Sequence, residues 1–117
     1  MSYQSCHRHA QISSRKVRPL ANMVRGKFAD EALDILRYQP ARGARLLEGV
    51  LKSAIGNAQD ADQNGGRSIN PEELVVTEAH IDGGPVMKRI RAMSRGQAFG
   101  ILKRTSHITI TLDTLED

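Results

Sequence analysis

The stretch DGGPVMKRIRAMSRGQAFGILKRTSH, residues 82–107, separates two segments that are typical of β-strands, residues 74–81 and 108–112. A connection of this length is uncommon inside a compact domain and is usually functional. It is too basic for a core segment and too apolar for a purely disordered one. We predict an extended two-legged arm, in which ten residues per leg would project roughly 30–35 Å beyond the globule. Such an arm cannot bury its own backbone, so it would need a partner to order it.

Three helical patterns precede these strands, after a segment of extended character at residues 2–12. The first has Ser14 as its expected N-cap, Gly26 as its expected stop and four apolar residues at helical spacing: Val17, Leu20, Ala21 and Val24. The second covers residues 29–39 and ends before Pro40. The third covers residues 44–58, and the width of its apolar face predicts packing against a sheet. Residues 59–72 are expected to form a loop.

The charged residues are segregated along the chain. Residues 1–29 contain six basic residues and no acidic one, residues 30–82 contain five basic and ten acidic residues, and residues 83–112 again contain six basic and no acidic residue. Two acid-free basic segments repel each other unless a polyanion neutralises them, and nucleic-acid phosphate is the obvious counter-charge. We therefore favour nucleic-acid binding over the alternative of a solvated basic face with no partner.

The composition excludes several other classes of protein. Because the chain has a single cysteine, it has no intrachain disulfide, which fits a reducing compartment. No apolar run approaches the ~20 residues that span a bilayer. The N-terminus lacks the apolar stretch of a secretory signal. The expected protein is small, cytoplasmic and basic, with one domain.

No sequence pattern indicates a catalytic site. Cys6, His7 and His9 could suggest a metal site, but zinc sites pair such clusters and the chain has no second one. The glycine-rich nucleotide loop that ends in Gly-Lys-Ser/Thr is absent, and no Ser/His/Asp arrangement can be assembled. We predict that the chain is not an enzyme and that it uses no metal or cofactor. A metal-dependent nuclease built on those three residues is the weakest alternative.

Aromatic residues are scarce, which narrows the mode of recognition. The chain has four of them, and these cannot supply both a core and a stacking platform for bases: Tyr3, Phe28, Tyr38 and Phe99. Proteins that bind single strands stack bases on such platforms. We therefore expect recognition through phosphates, sugars and the shape of folded RNA.

Several blocks of sequence occur in a fixed order over residues 7–112. The opening block comprises HRHA (7–10), SSRKVR (13–18) and VRGK (24–27), and the later blocks are ALDIL (32–36), SAIGNA (53–58), GPVMKR (84–89) and KRTSHIT (103–109). Together they resemble the bacterial large-subunit ribosomal protein L-twenty-two family. Any one block would be weak support for the resemblance, but the occurrence of all of them in the same order is specific to this family.

The resemblance implies an α+β fold in which three helices pack on a small three-stranded antiparallel sheet, with a long extended β-hairpin arm. It implies one domain over residues 1–117, with residues 83–106 as the arm. The globule would lie on the subunit surface near the tunnel exit, while the arm would run through large-subunit rRNA and line the nascent-peptide tunnel. The implied partners are large-subunit rRNA, neighbouring ribosomal proteins and the nascent polypeptide, with no membrane and no small-molecule substrate.

The resemblance also implies individual site residues. Those expected to bind rRNA are Arg8, His9, Arg15, Lys16, Arg18, Arg25, Lys27, Lys88, Arg89, Arg91, Arg95, Lys103, Arg104, Ser106 and His107. The expected tunnel-lining tip of the arm consists of Met87, Lys88, Arg89, Ile90, Arg91 and Met93.

The chain departs from the family pattern at three positions. Met93 and Gln11 stand where basic residues are common, and Pro19 is unusual within the first helix. The missing targeting peptide fits a bacterial and an organelle-encoded origin alike. A second hypothesis, an architectural protein or RNA chaperone that acts away from ribosomes, shares the charge pattern but gives no reason for a long arm.

Overall fold

The computed structural model describes residues 2–60, 71–92, 96 and 98–114. The helices are α1 (Ser14–Val24), α2 (Ala29–Tyr38) and α3 (Arg42–Gln59), and a 3₁₀ turn spans Pro71–Glu73. The strands are β1 (Ser2–Ala10), β2 (Leu74–Gly83), β3 (Met87–Ala92), β4 (Ala98–Lys103) and β5 (Ser106–Thr114). The three predicted helices and both predicted strands are confirmed. Most of the predicted loop at 59–72 lies outside the described residues.

Strand β5 is the centre of a three-stranded antiparallel sheet with the order β1-β5-β2. Alternate residues of β5 are fully buried: Ser106, Ile108, Ile110 and Leu112. This alternation places one face of the strand against the helices, as expected of a sheet covered on one side. The three helices and this sheet confirm the α+β fold that the resemblance implies.

Helix α3 is the main cover of the sheet and packs against β1 and β5, while α1 packs against β2. Leu47 and Leu51 on α3 are fully buried, as is Leu36, which α2 contributes where it packs on α3. Burying one such leucine stabilises the fold by about 1.5–3 kcal/mol. The wide apolar face predicted for the third helix therefore forms the floor of the core.

The start of α1 differs from the prediction. Ser14 is the first helical residue, and Ser13 occupies the N-cap position without a side-chain capping bond. The other two helices also lack side-chain N-caps. The stop is as predicted, because Gly26 follows the helix with a φ of 84°, a conformation that glycine adopts without steric cost.

A β-bulge in β2 changes which residues of the strand face the core. The pairing passes from Val76↔Leu112 to Glu78↔Thr111, so that Thr77 is the extra residue. Its hydroxyl lies 3.2 Å from the Thr111 carbonyl oxygen, which fixes the bulge. The buried residues therefore change from even positions before the bulge to Ala79 and Ile81 after it.

Beyond the sheet, β3 and β4 pair as a separate antiparallel hairpin, from Met87↔Lys103 to Ala92↔Ala98. The two legs predicted from the spacing are these strands. The molecule measures 64 × 27 × 17 Å and has a radius of gyration of 17.5 Å. A compact chain of this length would have a radius of gyration of about 13 Å, so the hairpin makes the molecule elongated.

A short neck connects the sheet to this hairpin. The Gly84 N–H donates to the Thr105 carbonyl oxygen over 2.9 Å, and the Thr105 hydroxyl donates to the Pro85 carbonyl oxygen over 2.6 Å. On the neighbouring strand the His9 N–H donates to Nδ1 of His107 over 3.1 Å. His9 has a φ of 59° within a bulge of β1, an uncommon conformation for a residue other than glycine.

Gly84→Ala tests the neck. An added Cβ would lie 2.5 Å from Oγ1 of Thr105, whereas nothing lies within 4 Å of the equivalent position at Gly83. We expect Gly84→Ala to lower the free energy of unfolding by about 1–3 kcal/mol, because the Thr105 side chain must move out of its buried place. Gly83→Ala should change it by no more than about 0.5 kcal/mol. Urea unfolding of both variants measures the difference, and equal values would contradict this account of the neck.

Candidate nucleic-acid interface

A groove of about 990 Å³ lies where the starts of α1 and α3 meet the end of β4. Its lining residues are Gln11, Ile12, Ser13, Ser14, Arg15, Lys16, Ala41, Arg42, Gly43, Leu102, Lys103 and Arg104. Five of them are basic and none is acidic. All five basic residues are exposed. The fold thus brings cations from both ends of the sequence to one concave surface.

Gly43 allows the two helix starts to lie side by side. A Cβ at this position would come within 3.2 Å of Cδ1 of Leu20 and 3.4 Å of Cγ2 of Val17, both on α1. Because glycine has no side chain, the first turn of α3 packs directly on α1. The N-termini of both helices consequently open into the same groove.

These two helix starts suit an anion. The first-turn N–H groups of a helix have no acceptors within the helix, and its macrodipole favours negative charge there. Neither α1 nor α3 has an acidic residue in its first turn, whereas α2, which starts elsewhere, has Asp30 and Glu31. Cations such as Arg15 and Arg42 at a helix start oppose the macrodipole by about 0.3–1 kcal/mol each. A phosphate bound in the groove offsets that unfavourable free energy with its negative charge. Its oxygens also accept hydrogen bonds from the first-turn N–H groups.

Arg18 and Arg25, both predicted to bind rRNA, contact the protein itself. Nε and Nη2 of Arg18 each donate to the Ile81 carbonyl oxygen over 3.2 Å. Nη2 of Arg25 donates to the Ala79 carbonyl oxygen. Both acceptors lie on the outer edge of β2, so these two arginines cover an edge strand. The sequence pattern shows basic residues but does not show which of them are used inside the fold.

The segment after α1 completes this cover. The Gly26 N–H donates to the Val76 carbonyl oxygen over 2.8 Å, and the Val76 N–H donates to the Lys27 carbonyl oxygen over 2.9 Å. Phe28 forms a further β-bridge with Val75. The backbone of Lys27 therefore bonds to the sheet, although Lys27 itself remains exposed to solvent.

The residues at the base of the arm differ in accessibility. Lys103 and Arg104 are exposed in the groove, and His107 is half-buried at the neck. Ser106 is fully buried, and its hydroxyl has no hydrogen-bond partner within the part of the chain that the structure describes. An rRNA contact is predicted for Ser106, whereas its place in the alternation of β5 turns it towards the core. We leave it out of the interface.

The remaining predicted residues lie along the arm and on β1. Lys88, Arg8 and His9 are exposed. Met87, Arg89, Ile90 and Arg91 lie on β3, where Met87 pairs with Lys103 at the base of the arm and not at its tip. Met93 and Arg95 lie outside the described residues.

Sequence reasoning missed Arg42 because it belongs to the acidic middle of the chain. The signal that could have found it is the absence of an acidic residue from the first turn of α3. The other cations of this region have structural partners. Arg45 donates through Nη2 to the Leu36 carbonyl oxygen over 2.6 Å and so caps the end of α2. Glu48 pairs with Arg45 at 3.0 Å and with Lys52 at 3.4 Å.

The described residues give neither a metal site nor a membrane span. In residues 2–60, 71–92, 96 and 98–114, no three His, Cys, Asp or Glu side chains are grouped so that they could hold a metal ion. None of the described helices is long and apolar enough to cross a membrane.

Comparison with known proteins identifies the family. The family model for ribosomal protein L22p/L17e matches residues 5–113. The chain belongs to this family. The large ribosomal subunit protein uL22 of Rhodopirellula baltica is 58% identical over 115 residues, covering 98% of this chain and 97% of that protein. The uL22 protein of Caldicellulosiruptor saccharolyticus is 47% identical over 109 residues, covering 93% and 85% respectively. The resemblance inferred from the sequence blocks is confirmed, and the family is not enzymatic.

Arg18→Gln and Arg15→Gln distinguish a structural cation from one that faces the groove. Arg18→Gln removes donors to the Ile81 carbonyl oxygen, so we expect the free energy of unfolding to fall by about 1 kcal/mol. Arg15→Gln removes an exposed charge at a helix start and should leave stability unchanged or raise it by up to about 1 kcal/mol. Urea unfolding of the free protein measures both, and an equal loss of stability would contradict the distinction.

Proposed function

We propose that the chain is a structural constituent of the large ribosomal subunit that binds large-subunit rRNA and lines the nascent-peptide exit tunnel with its hairpin arm. One observation carries the proposal of rRNA binding: the groove between α1, α3 and β4 contains five basic residues and no acidic one. Both relatives described above are named as large ribosomal subunit proteins. The action is electrostatic and steric and has no chemical step.

The groove binds the rRNA backbone through its charge. Lys and Arg release condensed counterions when they pair with phosphates, which makes the binding strong at low salt and weaker as salt rises. Contacts with phosphates position a protein on the RNA without reading the RNA sequence. The helix starts add directed N–H donors to the diffuse charge of the side chains. The groove therefore holds a turn of folded RNA at the base of the arm.

The domain organisation follows from the same hypothesis. We treat residues 1–117 as one domain and residues 83–106 as its arm. An isolated two-stranded hairpin is at best marginally stable in water, and residues 83–112 contain six basic residues and no acidic one. Walls of rRNA supply both the counter-charge and the contacts that such a ribbon lacks. Of the expected tip, Met87 to Met93, the first residue pairs with Lys103 at the base of the arm, so the end of β3 near Ala92 is the part that would reach the tunnel and the passing polypeptide.

The site residues divide accordingly. We assign rRNA contacts at the groove to Arg15, Lys16, Lys103 and Arg104, with Arg42 added from the structure. Arg8, His9 and His107 extend this surface along β1 and the neck, while Lys27 would contact rRNA separately, beside the outer edge of β2. Along the arm, the same role falls to Lys88, Arg89, Arg91 and Arg95. Arg18 and Arg25 serve the sheet edge first and can offer the RNA only their remaining N–H groups.

A matched pair of double variants tests the groove. Arg15→Gln with Lys16→Gln removes two groove charges, while Arg37→Gln with Lys52→Gln removes two charges from the exposed faces of α2 and α3. We expect the first pair to reduce the slope of log K against log salt for large-subunit rRNA by about 1.4–1.8, since each lost phosphate contact lowers it by roughly 0.7–0.9. The control pair should leave the slope unchanged. Equal slopes for both double variants would exclude the groove as the phosphate site.

Sedimentation of a native lysate tests the assignment to the subunit. We expect the chain to sediment with the large subunit and to remain there through a high-salt wash, because a threaded arm cannot dissociate by exchange of surface ions alone. Salt extraction into the free-protein fractions would instead indicate a surface-bound polycation. In that case the hypothesis of an RNA chaperone would replace the structural role.

A further inference from the structure

The two outer edges of the sheet are treated differently. The edge of β2 is covered by Arg18, Arg25 and the bridge from residues 26–28, as described above. On the edge of β1, the described contact is a hydrogen bond of 3.0 Å from Nδ2 of Asn57 to the Gln4 carbonyl oxygen. Uncovered strand edges template the addition of another strand, and proteins commonly block them.

The open part of β1 is short and well defined. Because the Gln4 carbonyl points outward to Asn57, the backbone groups of Cys6 and Arg8 also point outward, since alternate residues of a strand bond to the same side. Neither residue's outward N–H or C=O has a partner within residues 2–60, 71–92, 96 and 98–114. The bulge at His9 ends the regular edge. Residues 5–8 are therefore the open edge.

A groove of about 430 Å³ runs beside these four residues. It is lined by Ser5, Cys6, His7, Arg8, Arg45, Leu46, Gly49, Val50 and Ser53. Leu46 and Val50 of α3 give it an apolar floor. Its lining has two arginines and no acidic residue; Arg45 is already paired with Glu48 at 3.0 Å, so the exposed Arg8 is the cation available to a partner. The groove can take the alternate side chains of an added strand, and its charge complements a carboxylate.

We infer that an extended, acidic segment of a neighbouring ribosomal protein adds to the edge of β1 at residues 5–8. The inference rests on the proposed function, which places the chain among other ribosomal proteins. Main-chain hydrogen bonds to Cys6 and Arg8 would provide the affinity, and the groove would select an apolar side chain flanked by an acidic one.

The chemistry of this edge favours a polypeptide over RNA. The groove at the helix starts presents N–H donors and cations, which suit phosphate. The edge of β1 instead alternates N–H donors with carbonyl acceptors, and the acceptors repel phosphate oxygens. Another strand matches this alternation at a spacing of about 4.8 Å. An apolar floor likewise suits a side chain better than a sugar–phosphate backbone.

Two glycine substitutions on α3 provide a matched test. Gly49 lines the groove and Gly56 does not, and at both positions nothing lies within 4 Å of an added Cβ. Gly49→Met would fill the groove, whereas Gly56→Met would extend from the same face of the helix about 10.5 Å further along. Neither should disturb the fold, because methionine favours a helix more than glycine does. Equal or higher urea midpoints than that of the unsubstituted chain verify this.

Cys6 provides the readout, because it is the sole cysteine of the chain. Its Sγ lies 3.4 Å from Oγ1 of Thr109 on the face of the sheet away from the helices, so a benzophenone attached there leaves the groove open. The labelled chain is assembled into large subunits from rRNA and the other subunit proteins, then irradiated, and the crosslinked peptides are sequenced.

We expect a crosslink to one acidic, extended segment of a ribosomal protein. Its yield should fall by about tenfold in Gly49→Met and remain unchanged in Gly56→Met. Crosslinks to rRNA alone, no crosslink, or equal yields in both variants would overturn the inference while leaving the proposed function intact. If the unlabelled, unsubstituted chain does not enter the subunit, the proposed function itself fails and this inference falls with it.

Discussion

The ladder between β2 and β5 is the interaction on which the rest of the molecule depends. It runs from Leu74↔Thr114 to Gly83↔Ser106, and the legs of the arm leave the sheet at its far end. The same two strands that carry the core residues therefore also aim the hairpin. Because Gly84 and Thr105 continue the hydrogen bonding immediately beyond the ladder, the direction of the arm follows from the packing of the globule.

The basic residues of the chain fall into two groups with different physical roles. Arg18, Arg25 and Arg45 donate to backbone carbonyls, where they cover a sheet edge or end a helix. Their planar, multiple donors suit this use better than the single ammonium of a lysine. Within the described residues, no backbone carbonyl accepts a hydrogen bond from a groove cation. Arg15, Lys16 and Arg42 stand at helix starts, where they oppose the macrodipole, and Lys103 and Arg104 stand at the end of β4. Their positions are explained by a bound polyanion rather than by the stability of the free chain.

The sequence predicts those parts of the fold that depend on local pattern. The apolar periodicity of α3 and the alternation of β5 each place a buried face correctly, and the spacing between the two predicted strands indicates the hairpin. What the sequence does not show is set by contacts between distant segments. The bulge at Thr77 is held by a hydrogen bond to the Thr111 carbonyl oxygen. The edge of β1 is contacted at Gln4 by Asn57 of α3, and both contacts join residues far apart in the sequence. Ser106 is a polar residue that the alternation of β5 places in the core, which a motif match cannot detect. For the interface, the sequence blocks shared with the family indicate which residues are basic. Only the packing of α1 against α3 brings Arg42 beside Arg15.

The two grooves show how one small domain can separate two kinds of partner. Where two helix starts converge, their first-turn N–H groups are donors, so this surface suits phosphate better than a peptide. Along the open edge of β1, donors and acceptors alternate beside an apolar floor, so the surface accepts a strand and disfavours phosphate. Arginine occurs at both places, which means that positive charge alone does not distinguish them. The distinction comes from the backbone. At a helix start the N–H groups point out of the helix and the C=O groups point into it, whereas N–H and C=O groups alternate along a strand edge. A chain with few aromatic residues and one small core thus offers one surface suited to RNA and another suited to a protein strand, without any specialised side-chain chemistry.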